Sequence, residues 1–163
     1  MFPEDIQVLT RRVLETARAA GLTIATAESC TGGLVAGALT AIAGSSDVVD
    51  RGFVTYSNAA KTQMLGVPET LLAAYGAVSW PVAEAMARRT LEACPAGLSV
   101  AVTGIAGPGG GSPDKPVGLV HLAAARRDGP LIHREMRFGD LGRDAVRMAS
   151  VKTALELLLD VLA

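Results

Sequence analysis

Cysteine, aromatic residues and unbalanced charge are all scarce in this sequence. Its two cysteines, Cys30 and Cys94, cannot build a disulfide framework, and neither stands in a metal-ligand spacing. One Trp, two Tyr and three Phe make up the 4% aromatic content, so platforms for stacking nucleic-acid bases are missing. Fifteen basic against 16 acidic side chains leave a net charge of −1, with no basic stripe to follow a phosphate backbone. These shortages exclude nucleic acid as the expected partner. No apolar run approaches the roughly 18–20 residues of a membrane span, which excludes the membrane too. The start, MFPEDIQVLT, is acidic where a signal peptide needs a basic flank, so the cytoplasm is the expected compartment.

Small residues are abundant instead. Half of the 163 residues are hydrophobic, and 28 alanines stand beside 18 glycines, so the core is built of small and branched aliphatics. The length suits one domain, residues 1–163, burying roughly 70% of its unfolded surface.

Ile6, Leu9, Val13, Leu14 and Ala17 recur at helical spacing and predict a helix over 4–20, ended by Gly21. LTIATAE (22–28) reads as a buried strand, LVAGALTAIA (34–43) as a helix and RGFVTY (51–56) as a strand. A helix from Ala59 to Leu65 follows, with Asn58 as its expected cap. Pro68 opens a short helix to Tyr75, and Pro81 begins another that runs to Cys94. LSVAVTG (98–104) is an apolar strand. VGLVHLAAA and LIHREMRF read as hairpin strands around Asp128-Gly129, and a helix closes the chain over 140–162. Helices alternating with short apolar strands predict a layered α/β/α domain with a mixed sheet.

Three segments bring chemistry-bearing side chains to strand ends. In AESCTGG (27–33) a strand meets a helix within three residues, which frees backbone N–H groups to bind a phosphate or an oxyanion. Ser29, Cys30 and Thr31 are three possible nucleophiles there; Ser29 or Thr31 capping the helix, and Cys30 as a small buried hydrophobe, are the plainer readings. In TYSNAAK (55–61), an Asn58 cap puts Lys61 in the first turn, where the helix dipole and partial burial both favour its neutral form. A neutral lysine can take the proton of a serine hydroxyl, and a solvated surface lysine is the alternative. Tyr56 packs on the strand or offers a polar handle beside the site.

The third segment, TGIAGPGGGSPDKPVG (103–118), follows a strand but has neither a P-loop ending nor a dinucleotide fingerprint. Gly107, Gly109, Gly110 and Gly111 still allow backbone amides to approach an anion, and Thr103 and Gly104 sit at a strand end, where α/β proteins bind ligands, unless the segment is merely a flexible loop. Arg143 and Arg147 open the last helix, as phosphate-directed forks or as a solvated ion-paired face. His121 and His133 fall in the hairpin strands and have no metal-ligand spacing.

AESCTGG, IAGSS, RGFVTYSNAAK, GAVS, TGIAGPGGG and KPVG occur in one order over about residues 5–160. Together they resemble the CinA C-terminal domain family, the competence/damage-inducible proteins whose standalone members are nicotinamide-nucleotide amidohydrolases. The resemblance implies the family's α/β/α fold in its single-domain form. It implies deamidation of nicotinamide mononucleotide to nicotinate mononucleotide and ammonia, in pyridine-nucleotide recycling, with no metal and no cofactor. By this resemblance Ser29 matches the nucleophile, Lys61 the base and Tyr56 the tyrosine beside them. Thr103, Gly104, Gly107, Gly109 and Gly110 match the pocket loop, and Arg143 the arginine facing the nucleotide. Amides near Thr31, Gly32 and Gly33 are expected to hold the oxyanion. Trp80 departs from the family, which often has an acidic residue there, at the pocket rim.

Two other classes stay open: a non-catalytic nucleotide-binding or regulatory module linked to competence or DNA damage, and an amidase for another nucleotide or a pterin-like ring. Alanine-rich helix faces lead us to expect a homodimer or higher homo-oligomer.

Overall fold

A computed structural model describes residues 1–163. Five strands, β1 (Ile24–Glu28), β2 (Val49–Val54), β3 (Leu98–Gly104), β4 (Leu119–Arg126) and β5 (Leu131–Arg137), form one sheet in the order β2-β1-β3-β4-β5. β1 pairs parallel with both β2 and β3, whereas β3–β4 and β4–β5 are antiparallel, so the sheet is mixed. Six helices cover it: α1 (Glu4–Ala19), α2 (Leu34–Thr40), α3 (Asn58–Leu65), α4 (Glu69–Tyr75), α5 (Trp80–Ala93) and α6 (Arg143–Leu162).

The two faces of the sheet differ in residue size, and strand alternation explains it. Ile24, Leu98, Val100, Val102, Val120 and Leu122 point to one face, where they join Val13, Leu14, Leu39, Leu155 and Leu158 in the larger core. Ala25, Ala27, Ala101, Ala123 and Ala125 point to the other and meet Val82, Ala83, Met86 and Ala87 of α5. The alanines flatten that face, so α5 lies close to it. The hydroxyl of buried Ser99 reaches across the gap to donate 2.8 Å to the Ala87 carbonyl.

Most expected elements form, with shifted ends. β1 begins at Ile24, α2 stops at Thr40 and α6 begins at Arg143. Pro81 is the second residue of α5, since Trp80 opens it. The cap of α3 is Ser57, whose hydroxyl accepts the Ala60 amide at 3.0 Å; Asn58 is the first helical residue. Lys61 therefore stands in the fourth helical position, one later than the sequence suggested.

β1 has β2 on one side and β3 on the other, and all three strands are parallel. Their C-terminal ends share one edge, and the chain leaves β1 for the sheet margin before returning on the far side. Such a reversal leaves a crevice at the strand ends. The turn that begins at Ser29 lies there.

Candidate active site

Ser29 directly follows β1 and its backbone stays in the sheet, the amide donating to the Val102 carbonyl at 2.9 Å. On the opposite side, the Thr55 amide donates to the Glu28 carbonyl at 2.8 Å. The strand end is thus held from both neighbours while the Ser29 side chain projects beyond it.

Lys61 reaches this point from α3. It is only 1% exposed, and its Nζ lies 3.1 Å from Ser29 Oγ and 2.8 Å from the Thr55 carbonyl oxygen, to which it donates. No carboxylate pairs with it. Burial therefore pulls its pKa below the ordinary value of 10.5 and outweighs the opposing effect of the Cys30 sulfur. An amine that surrenders its proton easily touches a hydroxyl oxygen.

Cys30 lies next to this pair, 6% exposed, and burial pushes its thiol up to about 11. A thiol that stays protonated at neutral pH is a poor nucleophile. Of the three adjacent nucleophile candidates, Ser29 alone has its side chain in contact with the Lys61 amine. The Thr31 and Thr55 hydroxyls are buried without a hydrogen-bond partner.

Glu28 governs the turn in a way the sequence did not suggest. Its carboxylate is fully buried and accepts the amides of Gly33 (3.1 Å), Val35 (3.0 Å) and Ala36 (2.8 Å). These are N-terminal donors of the seven-residue helix α2, so one side chain caps it. Gly33 takes φ +100° at the entry to α2, a conformation that disfavours any side chain. The Gly32 amide is used within the turn, on the Ser29 carbonyl at 3.0 Å. Gly32 and Gly33 are consequently unavailable to an oxyanion, and neither they nor Thr31 line the cavity.

The cavity, about 270 Å³, is lined by Ser29, Cys30, Lys61, Tyr56, Thr103 and Arg143 among others. Gly104, Gly107, Gly109 and Gly110 line it as well, so most of the residues singled out in sequence share one wall system. Thr103 does not offer its hydroxyl to the cavity: it donates to the Ala77 carbonyl at 2.8 Å and fastens the facing wall. Arg143 donates from one nitrogen to the Gly107 carbonyl (2.8 Å) and from another to Tyr56 Oη (2.9 Å), bridging the glycine loop to the end of β2. The amides of Ala106, Gly107, Gly109, Gly110 and Gly111 have no acceptor within the protein. Gly107 has φ +81°, and a Cβ there would come within 2.7 Å of Val117. The loop is a row of free donors beside a guanidinium, which suits an anion.

Trp80 is outside the cavity, 55% exposed, and stacks on His133 at 5.2 Å between centroids. His133 in turn bonds His121, with ring nitrogens 2.9 Å apart. Burial and the neighbouring imidazole both lower the pKa of His121. No helix is long and apolar enough to cross a membrane.

The family profile of the CinA C-terminal domain matches residues 6–162. The nicotinamide-nucleotide amidohydrolase PncC of Escherichia coli K12 is 50% identical over 97% of this chain and 95% of its own length. A CinA-like protein of Citrifermentans bemidjiense is 49% identical over 97% of this chain, but the chain spans only 38% of that longer relative. The crystal structure of the competence/damage-inducible protein CihA from Agrobacterium tumefaciens superposes with a TM-score of 0.98 and 58% identity, covering 100% of this chain and 99% of that one. This chain belongs to the CinA C-terminal domain family.

Proposed function

We propose that the protein is an amidohydrolase that deamidates nicotinamide mononucleotide through a serine–lysine pair. The observation that carries this reading is the contact of 3.1 Å between Ser29 Oγ and a buried, unpaired Lys61 amine. The 50% identity to the Escherichia coli nicotinamide-nucleotide amidohydrolase supports the substrate class.

An amide carbonyl is a weak electrophile, so the reaction needs an activated nucleophile, a site for the oxyanion and a proton for the leaving nitrogen. Neutral Lys61 accepts the Ser29 hydroxyl proton as Oγ bonds to the carboxamide carbon, and the C=O π pair moves onto oxygen. The tetrahedral species collapses, the C–N bond breaks, and Lys61 returns the proton so that ammonia departs. A water then gives its proton to Lys61 and attacks the Ser29 ester. Collapse releases the carboxylate of nicotinate mononucleotide and restores the serine.

The substrate phosphate rests on the free amides of the loop at Gly107, Gly109 and Gly110, with Arg143 beside them. Tyr56 Oη, held by Arg143, borders the same space. We take the protein to be a cytoplasmic homodimer, with exposed Met64 and Leu141 as apolar surface for self-association. Sedimentation velocity tests that assignment.

Ammonia release from purified protein and nicotinamide mononucleotide is the direct test, run beside a panel of other amide-bearing nucleotides. Turnover of the mononucleotide in preference to the panel is expected. Saturable binding with no ammonia released would instead make the domain a nucleotide-binding module.

A further inference from the structure

With Gly32 and Gly33 withdrawn, the nucleophile turn keeps two backbone N–H groups without an acceptor, those of Cys30 and Thr31, and of these two residues only Cys30 lines the cavity. Arg147 of α6 explains how they are presented. Its Nε donates to the Cys30 carbonyl (3.1 Å) and its Nη2 to the Thr31 carbonyl (3.2 Å). It forms no ion pair and does not line the cavity. Every peptide here except Gly107–Pro108 is trans, so each N–H points opposite to the carbonyl of its own unit. The Thr31 N–H shares a peptide with the Cys30 carbonyl and is directed away from Arg147. The Cys30 N–H shares a peptide with the Ser29 carbonyl, which the Gly32 amide holds at 3.0 Å.

We propose that Arg147 is a positioning residue for acyl transfer: by gripping the Thr31 carbonyl it polarises the Gly32 amide that holds the Ser29 carbonyl, and so aims the N–H at the other end of that peptide, the amide of cavity-lining Cys30, as the donor for the tetrahedral oxygen. The proposal rests on Ser29 being the nucleophile. When Ser29 Oγ bonds to the substrate carbon, its proton moves to Lys61 and the carbonyl oxygen gains a full negative charge beside the Cys30 amide. A guanidinium on the carbonyl end of a peptide strengthens the donor at its other end. Arg147 never touches the substrate, so it acts on the transition state and leaves ground-state binding alone.

Arg147→Met and Arg147→Lys test it. Arg147→Met is expected to lower kcat for nicotinamide mononucleotide by about 10²–10³, with KM changed less than about twofold. Arg147→Lys, whose single amine reaches one carbonyl at a time, is expected to recover part of that loss, and it serves if Arg147→Met does not fold. Pyridine-3-boronic acid bonds a serine oxygen and places a boron-bound oxygen where the oxyanion forms. Its affinity is expected to fall in step with kcat, whereas nicotinamide mononucleotide binds Ser29→Ala and Ser29→Ala/Arg147→Lys equally. Unchanged kcat, or kcat and ground-state affinity falling together, overturns the role of Arg147. If wild-type protein releases no ammonia and Ser29→Ala still binds the boronic acid, it is the amidohydrolase reading that fails.

Discussion

Lys61 Nζ lies 3.1 Å from Ser29 Oγ across 32 residues of sequence, and no acidic side chain neutralises the lysine. A protonated lysine cannot accept the serine proton, so activity should follow the neutral form. Burial lowers the lysine pKa, which enlarges the neutral fraction at a given pH. We expect kcat/KM to rise with pH to a plateau, with its inflection below the ordinary 10.5. Lys61→Arg should be inactive near neutral pH, and Ser29→Ala should lose about 10⁴-fold or more in ammonia release while keeping its circular dichroism spectrum. The same shift has a stability consequence: between the folded and unfolded pKa values the unfolded chain binds more protons, so the Lys61 contribution to stability rises with pH across that window.

Cys30 behaves in the opposite sense. Its folded thiol titrates near 11 against an ordinary 9.0, so over that interval the folded protein holds the extra proton and stability falls as pH rises. Two units correspond to about 3 kcal/mol as an upper bound. Denaturant unfolding of wild type and Cys30→Ala from pH 8 to 11 should show the wild type losing more. Cys30→Ala should retain turnover, and inactivation by both that substitution and a thiol reagent would make the thiol the nucleophile.

Arg143 joins the glycine loop to Tyr56 and borders the loop amides that have no acceptor. Arg143→Ala should raise KM for nicotinamide mononucleotide by roughly 10–100-fold, the range of one or two charge-assisted hydrogen bonds. Nicotinamide riboside, which has no phosphate, should be hydrolysed at similar kcat/KM by both proteins. An equal loss on both substrates would move the phosphate away from Arg143.

Glu28 satisfies three amides from a fully buried position. Glu28→Gln replaces one acceptor oxygen with an NH2 facing N–H donors, so urea unfolding should show a loss of about 2–4 kcal/mol. A change below about 0.5 kcal/mol would show that α2 does not depend on this carboxylate.

The fold was largely legible in the sequence because its signals are local. Helical spacing in α1, the glycine at its end, the apolar strands and Asp128-Gly129 at the hairpin each act within a few residues of where they are written. Element ends were less legible: the choice between Ser57 and Asn58 as cap depends on which side chain meets the Ala60 amide. The sequence by itself also determined the chemical inventory, with Ser29, Lys61, Tyr56, Thr103, Arg143 and the glycine loop all placed at strand ends or helix starts.

Tertiary structure decided how that inventory is used. Whether Lys61 is solvated or buried depends on β1, β2 and α3 closing over it, and only that closure lowers its pKa. Which amides remain free was equally hidden. Glu28 reads as one more residue of an apolar strand, and Arg147 as one more charge on a helix, until folding brings them to opposite sides of the same turn. A backbone donor is available only if no distant acceptor reaches it, and that depends on every group the fold delivers to the site.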